Sequence, residues 1–260
     1  MSIAVACKDF GFSFPEADII RHISFELEEG TYMSIIGTNG SGKSTLLKSL
    51  LRLHERGRSH GEAFICGKPL SQCSQKELAS MIGYVPQAGG RIPPFTVMEF
   101  LKLSRYPYRR RHEALGLHDR ECIDEAMELT GTAALAHKKL DELSGGQRQR
   151  AFLAAALAQD TSILLLDEPA SFLDPRHAYE LNALLKKLNR ERGKTIITVT
   201  HDLNHPLDAG GVALVMRNSR QVYFGPSSKL AERGILETAF EHEFTRIVHP
   251  KTGQTLDFAE

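Results

Sequence analysis

The sequence predicts an α/β fold on a mainly parallel sheet, with an antiparallel β subdomain and an inserted α-helical subdomain, and three observations predict it. An apolar strand candidate at 32–36 runs into a glycine-rich loop at 37–45, and an apolar-periodic helix follows at 45–53. Compact apolar or β-branched runs at 82–85, 163–166, 195–200 and 212–216 alternate with helices, and the longest suit a sheet covered on both faces. Three helical stretches at 96–103, 119–130 and 146–158, opened by Pro93-Pro94, interrupt that rhythm.

Segments 3–7, 23–27 and 62–66 carry short alternating or β-branched patterns punctuated by Gly, which predicts an antiparallel sheet beside the loop. The main domain is expected over 1–230, with the helical block inserted at about 89–158. Strand signals fade from Gly225 onward, and 231–260 reads as a polar C-terminal extension without an assigned role. Neither an internal repeat nor a low-complexity linker is visible.

A chain of 260 residues can bury a sizeable core. Lys plus Arg equals Asp plus Glu at 32 each, so no global field favours nucleic acid or an anionic membrane. No apolar run approaches the roughly 20 residues that cross a bilayer, and 1–4 lack the basic and apolar regions of a secretory signal. A soluble cytoplasmic protein is expected, unless a partner tethers it. Cys7, Cys66, Cys73 and Cys122 are scattered with no C-x-x-C pair, and read as reduced thiols rather than metal ligands.

Gly37-Thr38-Asn39-Gly40-Ser41-Gly42-Lys43-Ser44-Thr45 fits the phosphate-binding loop G-x-x-x-x-G-K-[ST]. Backbone N–H groups curl around a polyphosphate only where side chains are absent, so Gly37, Gly40 and Gly42 suit the loop. Lys43 reaches the β and γ phosphates, Ser44 offers a hydroxyl to Mg²⁺, and the following helix turns its positive end to the anion. The run at 163–166 delivers Asp167-Glu168-Pro169 at a strand's carboxyl end, where open α/β sheets bind ligands. Asp167 is suited to the Mg²⁺ shell, and Glu168 to polarising a water for in-line attack on phosphorus. Leu143-Ser144-Gly145-Gly146-Gln147 reads as a capped helix start whose glycine N–H groups form a second anion site.

In this order the motifs resemble those of the ATP-binding cassette (ABC) ATPases, from about residue 3 to residue 230. The resemblance implies a P-loop, RecA-like core and adds roles. Phe14 stands where the family has an aromatic stacked on adenine. Gln87 matches the glutamine that touches Mg²⁺ and the attacking water. Residues 143–147 match the signature that reaches the γ-phosphate held by a second subunit. Asp174 matches the aspartate that couples the two sites, and His201 the switch histidine at the γ-phosphate. His201 and His205 have i, i+4 spacing, but Pro206 disturbs that helix and no third ligand is evident, so a metal pair is not expected.

The implied machine is a head-to-tail homodimer with two ATP molecules between its protomers, closed by ATP and opened by hydrolysis. It would act at the cytoplasmic face of the inner membrane through a separate permease, and indirectly with a substrate-binding protein, using the helical block as its dock. Within the family, 104–108, 158–161, 173–177 and 201–204 look like the ATPases of importers for iron–siderophore, haem and vitamin B12, a pattern shared by importers of molybdate and other oxyanions. A soluble cassette acting on DNA or ribosomes would usually show two cassettes or a long coiled coil, and neither is seen. Arg109-Arg110-Arg111 reads as a solvated face. Thr38 replaces the usual Pro and Ala155 the common Arg, while 205–211, with Pro206 and two glycines, departs from the family's usual helix.

Overall fold

The computed structural model describes residues 2–87, 90, 92–109, 113–171, 173–232, 234–248 and 255–259, with the backbone alone at 231, 245–248 and 255–259. Arg110 and Arg111 of the basic run, and Phe172, lie outside the described residues.

In chain order the elements are β1 (Ile3–Phe14), β2 (Ala17–Glu28), β3 (Tyr32–Gly37), α1 (Lys43–Leu50), β4 (Arg58–Ile65), β5 (Lys68–Pro69), α2 (Gln75–Met81) and β6 (Ile82–Val85). They continue with α3 (Val97–Ser104), α4 (Leu117–Thr130), α5 (Gly145–Ala158), β7 (Ile163–Asp167), α6 (Pro175–Arg192) and β8 (Thr195–Val199). The last are α7 (His205–Ala209), β9 (Val212–Arg217), β10 (Arg220–Pro226), α8 (Ile235–Phe240), β11 (Phe244–Val248) and β12 (Thr255–Ala259). The chain separates into two compact units, 1–73 with 193–260, and 74–192.

In the first unit β3 lies between β8 and β9, parallel to both, with Ile35 opposite Val199 on one side and Leu214 on the other. All six β3 residues are buried, as a strand covered on both faces must be. β1 pairs antiparallel with β2 and with β4, which confirms the expected antiparallel sheet. Strand β10 joins the two parts, antiparallel to β9 and meeting β2 at Arg220 and Arg21. Sequence reading missed β10, whose Val222-Tyr223-Phe224 run is short and whose residues are only partly buried or exposed. It also missed the hairpin of β11 and β12, which lies where strand signals fade. Leu230, Leu236 and Ala239 are fully buried with Ile36, Ala213 and Val215.

The second unit holds β6 and β7 as a parallel pair, Ile82 opposite Ile163 through Val85 opposite Leu166. Helices α3, α4 and α5 share a separate core that includes Val97, Leu101, Ile123, Ala151 and Ala154. Thr96 caps α3 by accepting from Glu99 N–H, and Glu99 accepts from the Thr96 N–H in return. Gly131, with φ of 62°, ends α4 in the left-handed conformation that side chains resist. Arg105, at the end of α3, is 2% exposed and donates from Nε to Asp119 Oδ1 and from Nη1 to Ala158 O, both at 2.8 Å. One guanidinium thus holds α3, α4 and the end of α5 together.

Candidate functional site

In the first unit the predicted phosphate loop follows β3. Gly42 caps α1 with φ of 97°, and a Cβ there would lie 2.7 Å from Ile19 O on β2. Gly37 is tighter still, since its Cβ would fall 2.0 Å from Met216 O on β9. Both glycines are therefore steric requirements of the turn. Gly40 also has positive φ, at 77°, but open space lies beside it. Lys43 is buried and donates from Nζ to Gly37 O at 2.8 Å and Thr38 O at 3.0 Å, so the loop wraps its ammonium group. Ser41 Oγ is buried without a hydrogen-bond partner. An orphaned hydroxyl, open space at Gly40 and the α1 N-terminus fit a polyphosphate. Asn39 is exposed, and Ser44 and Thr45 are half-buried on the first turn of α1.

Phe14 ends β1, partly buried, with its ring edge-on to Phe12 at 5.1 Å and to His54 at 5.5 Å. It borders a cavity of about 720 Å³ with Asp18, Arg21, Arg58 and His60. His201 is exposed just beyond β8. Its loop is shaped by Asp202 Oδ1, which accepts the Asn204 N–H at 2.9 Å. His205 is instead buried, with Nδ1 3.4 Å from Ser34 Oγ and Nε2 3.5 Å from Tyr32 OH. The two histidines therefore sit in different environments. Among the described residues no helix carries both histidines, because α7 begins only at His205, with Pro206 in its first turn, where a missing N–H costs nothing. Gly210 and Gly211 then end it with positive φ.

The second unit carries the carboxylates. Asp167 closes β7 and is fully buried, and the Tyr84 hydroxyl is pushed up by burial and then by the Asp167 charge. Glu168 has φ of 48°, an uncommon backbone state for a side-chain-bearing residue. Its Oε2 accepts from Gln87 Nε2 at 2.8 Å and from Ser171 Oγ at 3.0 Å. The structure thus brings Gln87 and Glu168 together. Sequence reasoning missed the part of Ser171; its spacing three residues beyond Glu168, a turn away, was the available signal. Gln87 also borders a groove of about 420 Å³ with Tyr84, Phe100, Phe152 and Ala155.

Ser144 caps α5, accepting from Gln147 N–H at 3.3 Å while Gln147 Oε1 accepts from Ser144 N–H at 3.2 Å. The N–H groups of Gly145 and Gly146 fall outside the helix's own ladder, which leaves them for another acceptor. Asp174 caps α6, accepting from the His177 N–H at 2.9 Å, with His177 Nδ1 2.6 Å from its other oxygen. The His177 N–H and then its ring hold this carboxyl below the ordinary carboxylate range.

Strand, phosphate loop, helix and a carboxylate pair at a strand end together define a P-loop nucleotide-binding protein. The model of the ABC transporter family matches residues 20–171, and one described as an AAA domain, putative AbiEii toxin of a type IV toxin–antitoxin system, matches 139–207. The iron(3+)-hydroxamate import ATP-binding protein FhuC of Bacillus subtilis (strain 168) is 33% identical over 252 residues, covering 96% of this chain and 93% of that protein. The ferric enterobactin transport ATP-binding protein FepC of Escherichia coli (strain K12) is 36% identical over 238 residues, covering 92% and 87%. A dimeric ATP-binding cassette in a post-hydrolysis state with ADP and Pi superposes with a TM-score of 0.75 at 30% identity, over 86% of this chain and 98% of that one. An inward-facing transporter of putative metal-chelate type shares the fold, with a TM-score of 0.80 at 23% identity over 99% and 98%. The chain belongs to the ABC transporter family, as an ATP-binding and ATP-hydrolysing cassette.

Proposed function

We propose that this cassette powers import of a metal chelate of the iron–siderophore, haem or vitamin B12 type through a separate membrane permease. The relatives named for iron(3+)-hydroxamate and ferric enterobactin support that cargo class. The observation that carries the coupling is the 2.8 Å hydrogen bond from Gln87 to Glu168, because Gln87 also borders the groove beside Phe100 and Phe152. A permease segment seated in that groove would move the glutamine that holds the hydrolytic carboxylate. No helix among the described residues is long and apolar enough to cross a membrane, in keeping with a peripheral subunit at the cytoplasmic face.

On the first unit Lys43 neutralises phosphate charge, loop residues 37–45 hold the polyphosphate, Phe14 stacks on adenine and His201 faces the γ-phosphate. On the second, Glu168 polarises the water, Gln87 orients it, and Ser144 with the Gly145 and Gly146 N–H groups clamps the γ-phosphate of a second protomer. Asp174 couples the two sites. Ser44 on the first unit, and Gln87 and Asp167 on the second, each carry a hard oxygen donor of the kind Mg²⁺ takes, and the ion would supply charge neutralisation to the phosphates.

The test is Glu168→Gln. This variant keeps the side-chain shape but loses the base, so it should lose at least ~100-fold in ATP turnover and elute as a dimer with ATP, but not with ADP. A variant that remains monomeric in saturating ATP overturns the head-to-tail reading.

A further inference from the structure

His118 and Cys122 lie one turn apart on α4, and Asp160 follows the end of α5, within the same compact unit. Their candidate ligand atoms lie within 4.8 Å of one another. His118 Nε2 is 3.6 Å from Cys122 Sγ and 3.7 Å from Asp160 Oδ2. Zinc bonds of about 2.3 Å to sulfur and about 2.0–2.1 Å to nitrogen or oxygen put the S···N edge of a tetrahedron at about 3.6 Å and the N···O edge at about 3.4 Å. The two edges that meet at His118 Nε2 therefore already stand near the spacing of one metal's ligand shell.

We propose that His118, Cys122 and Asp160 form a site for a zinc-class divalent ion, separate from the nucleotide machinery, with the fourth position open to solvent. The second nitrogen of His118, Nδ1, has the Glu121 carboxylate 3.9 Å away, on the side from which carboxylates commonly orient metal-bound imidazoles. Arg105 acts on the Cys122 thiol, and its guanidinium is already engaged by Asp119 and the Ala158 carbonyl. Asp160, Asp119 and Glu125 also act on the thiol, so carboxylates outnumber that cation. Burial pushes the Cys122 thiol up, and a bound ion must displace its proton. A sulfur and an imidazole nitrogen among the ligands select zinc, cobalt or copper over magnesium or calcium, which prefer oxygen. Occupancy would clip α4 to the turn after α5, the helix that begins at the Ser144 cap.

The probe is Co²⁺, titrated into the reduced full-length protein without nucleotide. A thiolate-to-cobalt charge-transfer band should grow to one equivalent per chain and be displaced by Zn²⁺. Cys122→Ser should abolish the band, and Cys66→Ser, which removes the exposed thiol, should leave it intact. His118→Ala and Asp160→Asn alter exposed positions and should weaken affinity by at least about tenfold while the protein stays folded. Absence of the band, its dependence on Cys66, or unchanged affinity in His118→Ala overturns the assignment.

Discussion

At the scale of single residues, Gly37 and Gly42 of the nucleotide loop are fixed by steric contact with neighbouring strands. Gly42→Ala would force a Cβ to 2.7 Å from Ile19 O in a left-handed backbone, and Gly211→Ala would bring one to 2.1 Å from Tyr32 O. Both substitutions should cost about 2 kcal/mol or more in urea unfolding, and only Gly42→Ala should also abolish nucleotide binding measured by calorimetry. Much of the candidate site was legible because 37–45 and 167–168 are contiguous motifs whose residue types carry their chemistry. The strained backbone of Glu168, the hydrogen bond from Ser171 and the orphaned hydroxyl of Ser41 were not. They depend on how turns close in space, which local sequence patterns do not encode. The His118–Cys122 spacing was visible, but Asp160 lies far along the chain and is brought near only when α4 and α5 pack.

Among the elements, the helices of the second unit are joined by one buried arginine. Arg105→Ala removes the partner of Asp119 and the donor to Ala158, and should destabilise the protein by about 3 kcal/mol in urea unfolding. Arg105→Lys should recover little, because an ammonium cannot reproduce the fork that also stacks on Tyr108 at 4.4 Å. Burial works to raise the Asp119 carboxyl, but hydrogen bonds from Arg105 and the Gly116 N–H outweigh it and hold the group below the usual carboxylate range. Its contribution to stability is therefore complete above the unfolded carboxylate value and is lost as pH falls through the lower folded one. Stability measured from neutral to acid pH should thus fall less steeply in Arg105→Ala than in the parent. Elements that are compact apolar runs or follow a clear cap, such as β3, β7 and α5, were readable within a residue or two. The half-exposed strand β10 was not, because its pairing with β9 and β2 supplies what its own pattern lacks.

For the whole molecule, the proposed pairing makes a prediction that a single-chain site cannot satisfy. Lys43→Ala disables a chain's phosphate loop, and Ser144→Arg disables the signature that serves its partner, so each variant alone should be inactive. Mixed protomers combine one intact loop with one intact signature, and phosphate release should return to a measurable fraction of the parent rate. A mixture as inactive as its parts would place loop and signature in one chain's own site. The segment beyond residue 230 bears on this machinery too, since Leu236 and Ala239 share a buried core with Ile36, one residue ahead of the loop, and Leu207 of α7 packs against that core. Far from being loose trim, α8 serves as ballast beneath the strand that leads into the phosphate loop, and cutting it away would unseat that strand.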